Sequence, residues 1–274
     1  MGKINLRAPA VAGMFYPASS RPLKSQIEAF MEGAPARKAE AIACMLPHAG
    51  YMYSGNVAVK TLSRITVKNK VILIGPNHTG TGSSFSIVTK GAWETPLGKT
   101  EIDTVLASRL LKTSTLLKED ESAHEREHSL EVELPLLQYF NPAVSIVPIA
   151  VMSSEVQDLK NTGSLIGETI KEAGLAKEVL IVASSDMTHY EPDRQAREKD
   201  RQAIEAICRL DEDRLIERIM TLGITMCGWA PVVIMLTAAK KLGATSAALS
   251  LYQTSAETTG DEESVVGYAG ITVQ

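Results

Sequence analysis

Apolar residues in this chain fall into two alternating patterns. The runs "AIACML" (41–46), "KVILIG" (70–75), "SIVPIAV" (145–151) and "EVLIVASS" (178–185) are apolar at nearly every position, which predicts strands covered on both faces, as in a parallel sheet. "AALSLYQ" (247–253) and "VVGYAGITV" (265–273) read as two further strands. Between these runs, apolar residues recur every three or four positions. That spacing predicts helices over 20–32, 55–64, 102–112, 155–173 and 229–242, and a long charged helix or pair of helices over 193–220. Gly174 and Gly243 stand where two of these helices should end. Strands separated by helices imply βαβ units. The expected fold is a single α/β domain over 1–274, a mixed, mostly parallel sheet with helices on both faces.

This order of elements gives the histidines a common location. His48 follows "AIACML", His78 follows "KVILIGPN", and Asp186 and His189 follow the third strand in "SSDMTHY". In a parallel sheet these positions share the carboxyl edge, where open α/β proteins bind ligands. A lone strand-end histidine is usually a cap or a satisfied core residue, but three recurrences point to one shared site. Cys227, in "GITMCGWAPVV", precedes Gly228 and a helix expected to start near Trp229, with Pro231 in its first turn. The positive end of that helix dipole favours thiolate, hence metal ligation or nucleophilicity, although a free cysteine is more commonly a small buried hydrophobe. Cys44 and Cys208 fall in strand and helix interiors and read as packing residues.

The stretch "HEREHSLEVELPLL" (124–137) is the last polar constellation. If helical, it places His128 and Glu131 on one face and Leu130, Leu134 and Leu137 on an apolar stripe, with Pro135 imposing a kink or an early end. The functional reading puts His128 and Glu131 at the rim of the same pocket, as orienting groups or proton carriers; the alternative is a solvated charged face.

Composition narrows the function classes. With 28 basic and 32 acidic residues interspersed along 274 positions, the chain has a net charge of −4 and no basic face of the kind nucleic acids require. Three widely spaced cysteines fit reduced thiols rather than a disulfide framework. The opening "MGKINLRAPAVAG" has no signal-peptide core, and "WAPVVIMLTAA" is too short to span a bilayer, so no membrane association and a cytoplasmic location are expected. "GTGSS" (80–84) lacks the lysine of a phosphate-binding loop, and no G-x-S-x-G elbow is present.

The motifs "RAPAVAGMFYP" (7–17), "PHAGYMYSG" (47–55), "GPNH" (75–78), "TPLG" (95–98), "EHSLEVELPLL" (127–137), "SSDMTHY" (184–190) and "SVVGYAG" (264–270) resemble, in order, those of the Memo family. The resemblance implies a fold similar to class III extradiol dioxygenases. It also implies that His48, His78 and Cys227 correspond to the iron ligands of those enzymes, with Asp186 and His189 lining the pocket. A cysteine then stands where the ring-cleaving enzymes use glutamate, and this keeps metal binding while altering the chemistry. The expectation is a metal-binding, dioxygenase-like redox protein holding iron or copper, ahead of zinc, with His189 as acid/base. Rival readings are a non-catalytic module for an anionic or phosphorylated peptide and a zinc-type metallohydrolase. Microbial members of the family are associated with AMMECR-type and radical-SAM protein partners.

Overall fold

The computed structural model describes residues 5–33 and 38–274; residues 1–4 of the N-terminal stretch considered above lie outside it. The first half of the chain forms β1 (Leu6–Arg7), α1 (Ser20–Phe30), β2 (Ala43–Leu46), α2 (Asn56–Leu62), β3 (Lys70–Pro76), β4 (Phe85–Ile87), β5 (Ala92–Thr95) and β6 (Gly98–Glu101). Then come α3 (Thr104–Thr113), β7 (Lys118–Glu119), α4 (Leu134–Phe140), β8 (Ser145–Val151), α5 (Val156–Glu172), β9 (Val179–Ser184) and β10 (His189–Glu191). The chain closes with α6 (Asp193–Cys208), α7 (Glu212–Leu222), α8 (Trp229–Lys241), β11 (Ala247–Thr254), α9 (Ala256–Thr259) and β12 (Val265–Val273).

A nine-stranded sheet runs β10–β12–β2–β9–β3–β8–β4–β7, with β11 beside β12. Its centre, β2–β9–β3–β8, is parallel. These four strands are the Val/Ile/Leu-rich runs, and their side chains are buried on both faces, so only a sheet covered twice satisfies them. On β12, Gly267 closely approaches α6 and Gly270 closely approaches α2, so the two helices lie on opposite faces. Helix α2 packs with α1 and α4, and α8, apolar along nearly its whole surface, packs with α5 and α7.

The flanks are less parallel than the runs alone imply. Strands β10 and β11 are antiparallel to β12, and β12 to β2, while β4 is antiparallel to β8. No full crossover helix separates β11 from β12, so they pair as neighbours in the antiparallel sense. A second sheet, β1–β5–β6, rests on the β5–β6 hairpin around Pro96 and Leu97; its strands are too short and polar to stand out by periodicity.

The register fixes the site. Leu46 of β2 lies beside Ser184 of β9, and Ile74 of β3 beside Ala183, so three adjacent strands end together. His48, Asp186 and His78 each stand two residues beyond the last residue of their strand.

Candidate metal centre

His48 is only 2% exposed, and one ring nitrogen each of His48 and His78 lies with Cys227 Sγ inside a group of donors no more than 4.8 Å apart. The ring Nδ1 of His48 is 2.7 Å from Ser184 Oγ, and its Nε2 is 3.3 Å from Cys227 Sγ. The ring Nδ1 of His78 donates to Glu127 Oε1 at 2.9 Å. Both rings are therefore held from behind through Nδ1, and the Nε2 of His48 faces Cys227 Sγ.

Cys227 reaches this position because Gly228 follows it. A Cβ on Gly228 would meet Ser184 O at 2.3 Å and Ser185 Cβ at 2.5 Å, so only glycine lets the loop before α8 settle on the end of β9. The Gly228 N–H donates to Ser185 Oγ at 3.0 Å, and the Asp186 N–H points to Cys227 Sγ at 3.3 Å. Burial, and after it the nearby Asp186 charge, push the Cys227 thiol well above its ordinary range.

Asp186, 4% exposed, accepts from the His48 N–H at 2.8 Å and the Ala49 N–H at 3.3 Å. Burial pushes its carboxyl up to about 6 against these bonds and the nearby His189. His48 is held well below the usual imidazole range, first by burial and then by the neighbouring histidines. His189 is aimed by Thr225, which accepts the His189 N–H at 2.7 Å and whose carbonyl lies 3.0 Å from Nδ1. The β10–β12 register slips between His189 and Glu191, and Tyr190 there takes a left-handed φ of 59°, a bulge that turns the loop at the pocket mouth.

These groups line an open pocket of about 530 Å³. His48, His78, His128, Asp186, His189 and Cys227 all border it, and Phe15, Tyr53, Tyr190 and Tyr268 supply an aromatic rim. No lysine or arginine lines it among the described residues. Downstream of His48 the chain makes a π-helical turn, Tyr51–Gly55, fixed by the Tyr51 hydroxyl on Val132 O at 2.8 Å and the Tyr51 N–H on Phe15 O at 2.7 Å.

Glu131 does not belong to this pocket. Residues 124–133 are turns rather than helix, and α4 begins only at Leu134 with Pro135 in its first turn, so the expected face shared by His128 and Glu131 does not exist. Fully buried, Glu131 pairs with Arg7 Nη1 at 2.7 Å and accepts from Ala10 N, Val11 N and the Tyr16 hydroxyl at 2.7–2.9 Å. Its role is to tie the N-terminal segment to the sheet. The carboxylate of this segment that reaches the site, behind His78, is Glu127, four residues earlier, which spacing alone does not single out. Burial alone would raise its pKa, but the bonds from His78 and Ser129 outweigh this and hold it at about 2. Ser184 and Glu133 were also missed. Ser184 Oγ lies 2.7 Å from Ser129 O and 3.0 Å from Glu133 Oε1, and burial raises the Glu133 carboxyl well above its usual range. Ser184 donates its hydroxyl proton and keeps lone pairs that can accept from His48 Nδ1. The one available signal was position: Ser184 is a polar residue closing an otherwise apolar strand.

Residues 7–272 match the model of the family described as Memo-like protein. A MEMO1 family protein of Methanosarcina barkeri is 43% identical over 270 residues, covering 98% of this chain and all of the relative. A MEMO1 family protein of Aquifex aeolicus is 43% identical over 269 residues, covering 98% of this chain and 99% of its own. A crystal structure of an uncharacterized protein from Escherichia coli K12 shares the fold with a TM-score of 0.57 at 13% identity, over 85% of this chain and 99% of that one. With the family match and both relatives spanning nearly its whole length, the chain belongs to the Memo family.

Proposed function

We propose that this protein is a metal-dependent redox protein in which His48, His78 and Cys227 hold iron or copper and a small uncharged substrate enters through the aromatic rim. The observation that carries this reading is the convergence of two back-anchored imidazoles and one thiol within 4.8 Å. Of the three, His48 is buried, Cys227 half-buried and His78 exposed, and each brings one donor atom from a separate loop to the same point on the pocket wall. Two imidazoles with a thiolate form a borderline-soft set suited to iron or copper, and such a metal supplies electron-transfer or oxygen chemistry when bound.

The chain's own residues have separable tasks. Ser184 and Glu127 orient the two histidines. Asp186, with its carboxyl pushed up to about 6, exchanges a proton near neutral pH at the oxygen not used by the His48 and Ala49 N–H groups. His189, held by Thr225 at the mouth, serves as acid or base toward the bound substrate. The rings of His78 and His128 stack with centroids 4.7 Å apart at 22°, and with Glu127 they form a second group of donors within 4.8 Å of one another, so His128 borders the pocket beside the proposed ligands. A phosphorylated ligand fits this pocket less well, since phosphate recognition rests on arginine and lysine and neither lines it among the described residues.

The test is elemental analysis of anaerobically purified protein, followed by oxygen uptake over a panel of small phenols. About one iron or copper per chain is expected in the wild type, reduced at least tenfold in affinity by Cys227→Ser, with metal-dependent oxygen consumption. Bound zinc without oxygen uptake would favour a metallohydrolase. Failure to retain or take up any metal would end the proposal.

A further inference from the structure

Glu127 is 1% exposed, and its bond to His78 is one of several that lock its carboxylate. Its carboxylate is fixed first by the backbone: Oε1 accepts the Ser129 N–H at 2.8 Å, and Oε2 accepts the His78 N–H. One imidazole bonds to the fixed group and a second lies beside it. His78 Nδ1 donates to Oε1 at 2.9 Å, and His128 Nδ1 lies 3.5 Å from the same oxygen. The segment carrying Glu127 comes this close because residue 75 is glycine; a Cβ there would meet Leu130 Cδ2 at 2.6 Å and Ser129 Oγ at 2.8 Å.

We infer that Glu127 is the positioning residue of the centre, a carboxylate locked by two backbone N–H groups that sets the tautomer and ring orientation of His78, read above as a ligand. The inference rests on the proposed metal reading only for the role of His78. An ionised carboxylate accepts and never donates, so the ring nitrogen facing it must carry the proton. That places the proton of His78 on Nδ1 and its lone pair on Nε2, toward the pocket. His128 stacks against His78, with its Nδ1 3.5 Å from the same oxygen, beyond a hydrogen bond. His48 has a separate anchor in Ser184, and Cys227 has neither, so removing Glu127 should disable half the site and spare the other half.

The first test needs neither metal nor variant. Long-range nitrogen–proton correlation spectra of the metal-free wild type at pH 8 should show His78 as the Nδ1–H tautomer; a predominant Nε2–H form of His78 overturns the inference. The second test titrates Co(II) anaerobically into wild type, Glu127→Gln, His78→Ala and the double variant, reading the sulfur-to-cobalt charge-transfer band. Glutamine cannot accept from both backbone N–H groups and His78 at once. Affinity should fall about 10–100-fold, as for other groups that orient metal-binding histidines, while the thiolate band survives at saturation. In the His78→Ala background the same substitution should add nothing. Unchanged affinity in Glu127→Gln, or a full further loss in the double variant, overturns the positioning role. A wild type that shows no thiolate band with cobalt sinks the metal reading instead, and the tautomer spectra still decide Glu127.

Discussion

Two polar clusters are buried four residues apart on the same turn-rich segment, and they differ in what is left unpaired. Around Glu131, an arginine, two backbone N–H groups and a tyrosine hydroxyl occupy both carboxylate oxygens. Around Glu127, every hydrogen-bond partner lies behind the histidines, and the free nitrogens, a sulfur and Asp186 border an open pocket. Both clusters cost desolvation. The first recovers it entirely within the protein and is architecture; the second recovers it only in part, as functional sites do. Burial and charge alone do not separate the two, whereas a partner count on each atom does.

The largest effect that can break this comparison is on stability. Glu131→Ala leaves Arg7, whose side chain is 10% exposed, without its buried partner. A loss of about 3–5 kcal/mol is expected, lowering Tm by roughly 6–20 °C at ~2–4 °C per kcal/mol. Metal affinity of the folded fraction should be unchanged. Weakened metal binding at unchanged Tm would exchange the roles of the two carboxylates.

Asp186→Asn should act in the opposite direction. Asparagine keeps an oxygen for the His48 and Ala49 N–H groups but carries no charge to bury. Because the folded pKa of Asp186 is raised from 3.8 to about 6, its stabilising contribution is present at low pH and is lost as pH rises through about 6. The variant should therefore be more stable than wild type by about 1–3 kcal/mol above pH 7, with the difference vanishing below pH 4. Paired urea titrations at pH 8 and pH 4 check this. Destabilisation at pH 8 would make Asp186 a structural anchor like Glu131.

A smaller effect sharpens the chemistry of the pocket. The Cys227 thiol is pushed up by burial and by Asp186, while His48 is held low, so between pH 7 and 9 the thiol must lose a proton on metal binding and His48 need not. Affinity should rise about tenfold per pH unit over that range, with one proton released per ion. A flat profile would remove the thiolate from the site.

Much of the fold was legible because β3, β8 and β9 are apolar on both faces, a pattern that a doubly covered sheet explains better than any amphipathic element. Once those strands are placed, His48, His78 and Asp186 follow from strand order, and the family resemblance pointed to the same residues. What stayed hidden depends on local geometry. The spacing of His128 and Glu131 implies a shared face only in a helix, and the segment turns instead until Pro135 opens α4. The helix dipole argued for a Cys227 thiolate, but how deeply the sulfur sits, and that Asp186 lies beside it, are facts of packing. Strands of two to four residues such as β1, β5 and β7 carry too little periodicity to be read at all.

The central claim is that His48, His78 and Cys227 hold one ion together. X-ray absorption at the metal edge of the anaerobically loaded wild type and of Cys227→Ser tests it most directly. One sulfur and two imidazole nitrogens in the first coordination sphere are predicted for the wild type, with the sulfur scatterer absent in the serine variant. A wild-type sphere of nitrogen and oxygen alone, or one unchanged by the substitution, would contradict the account.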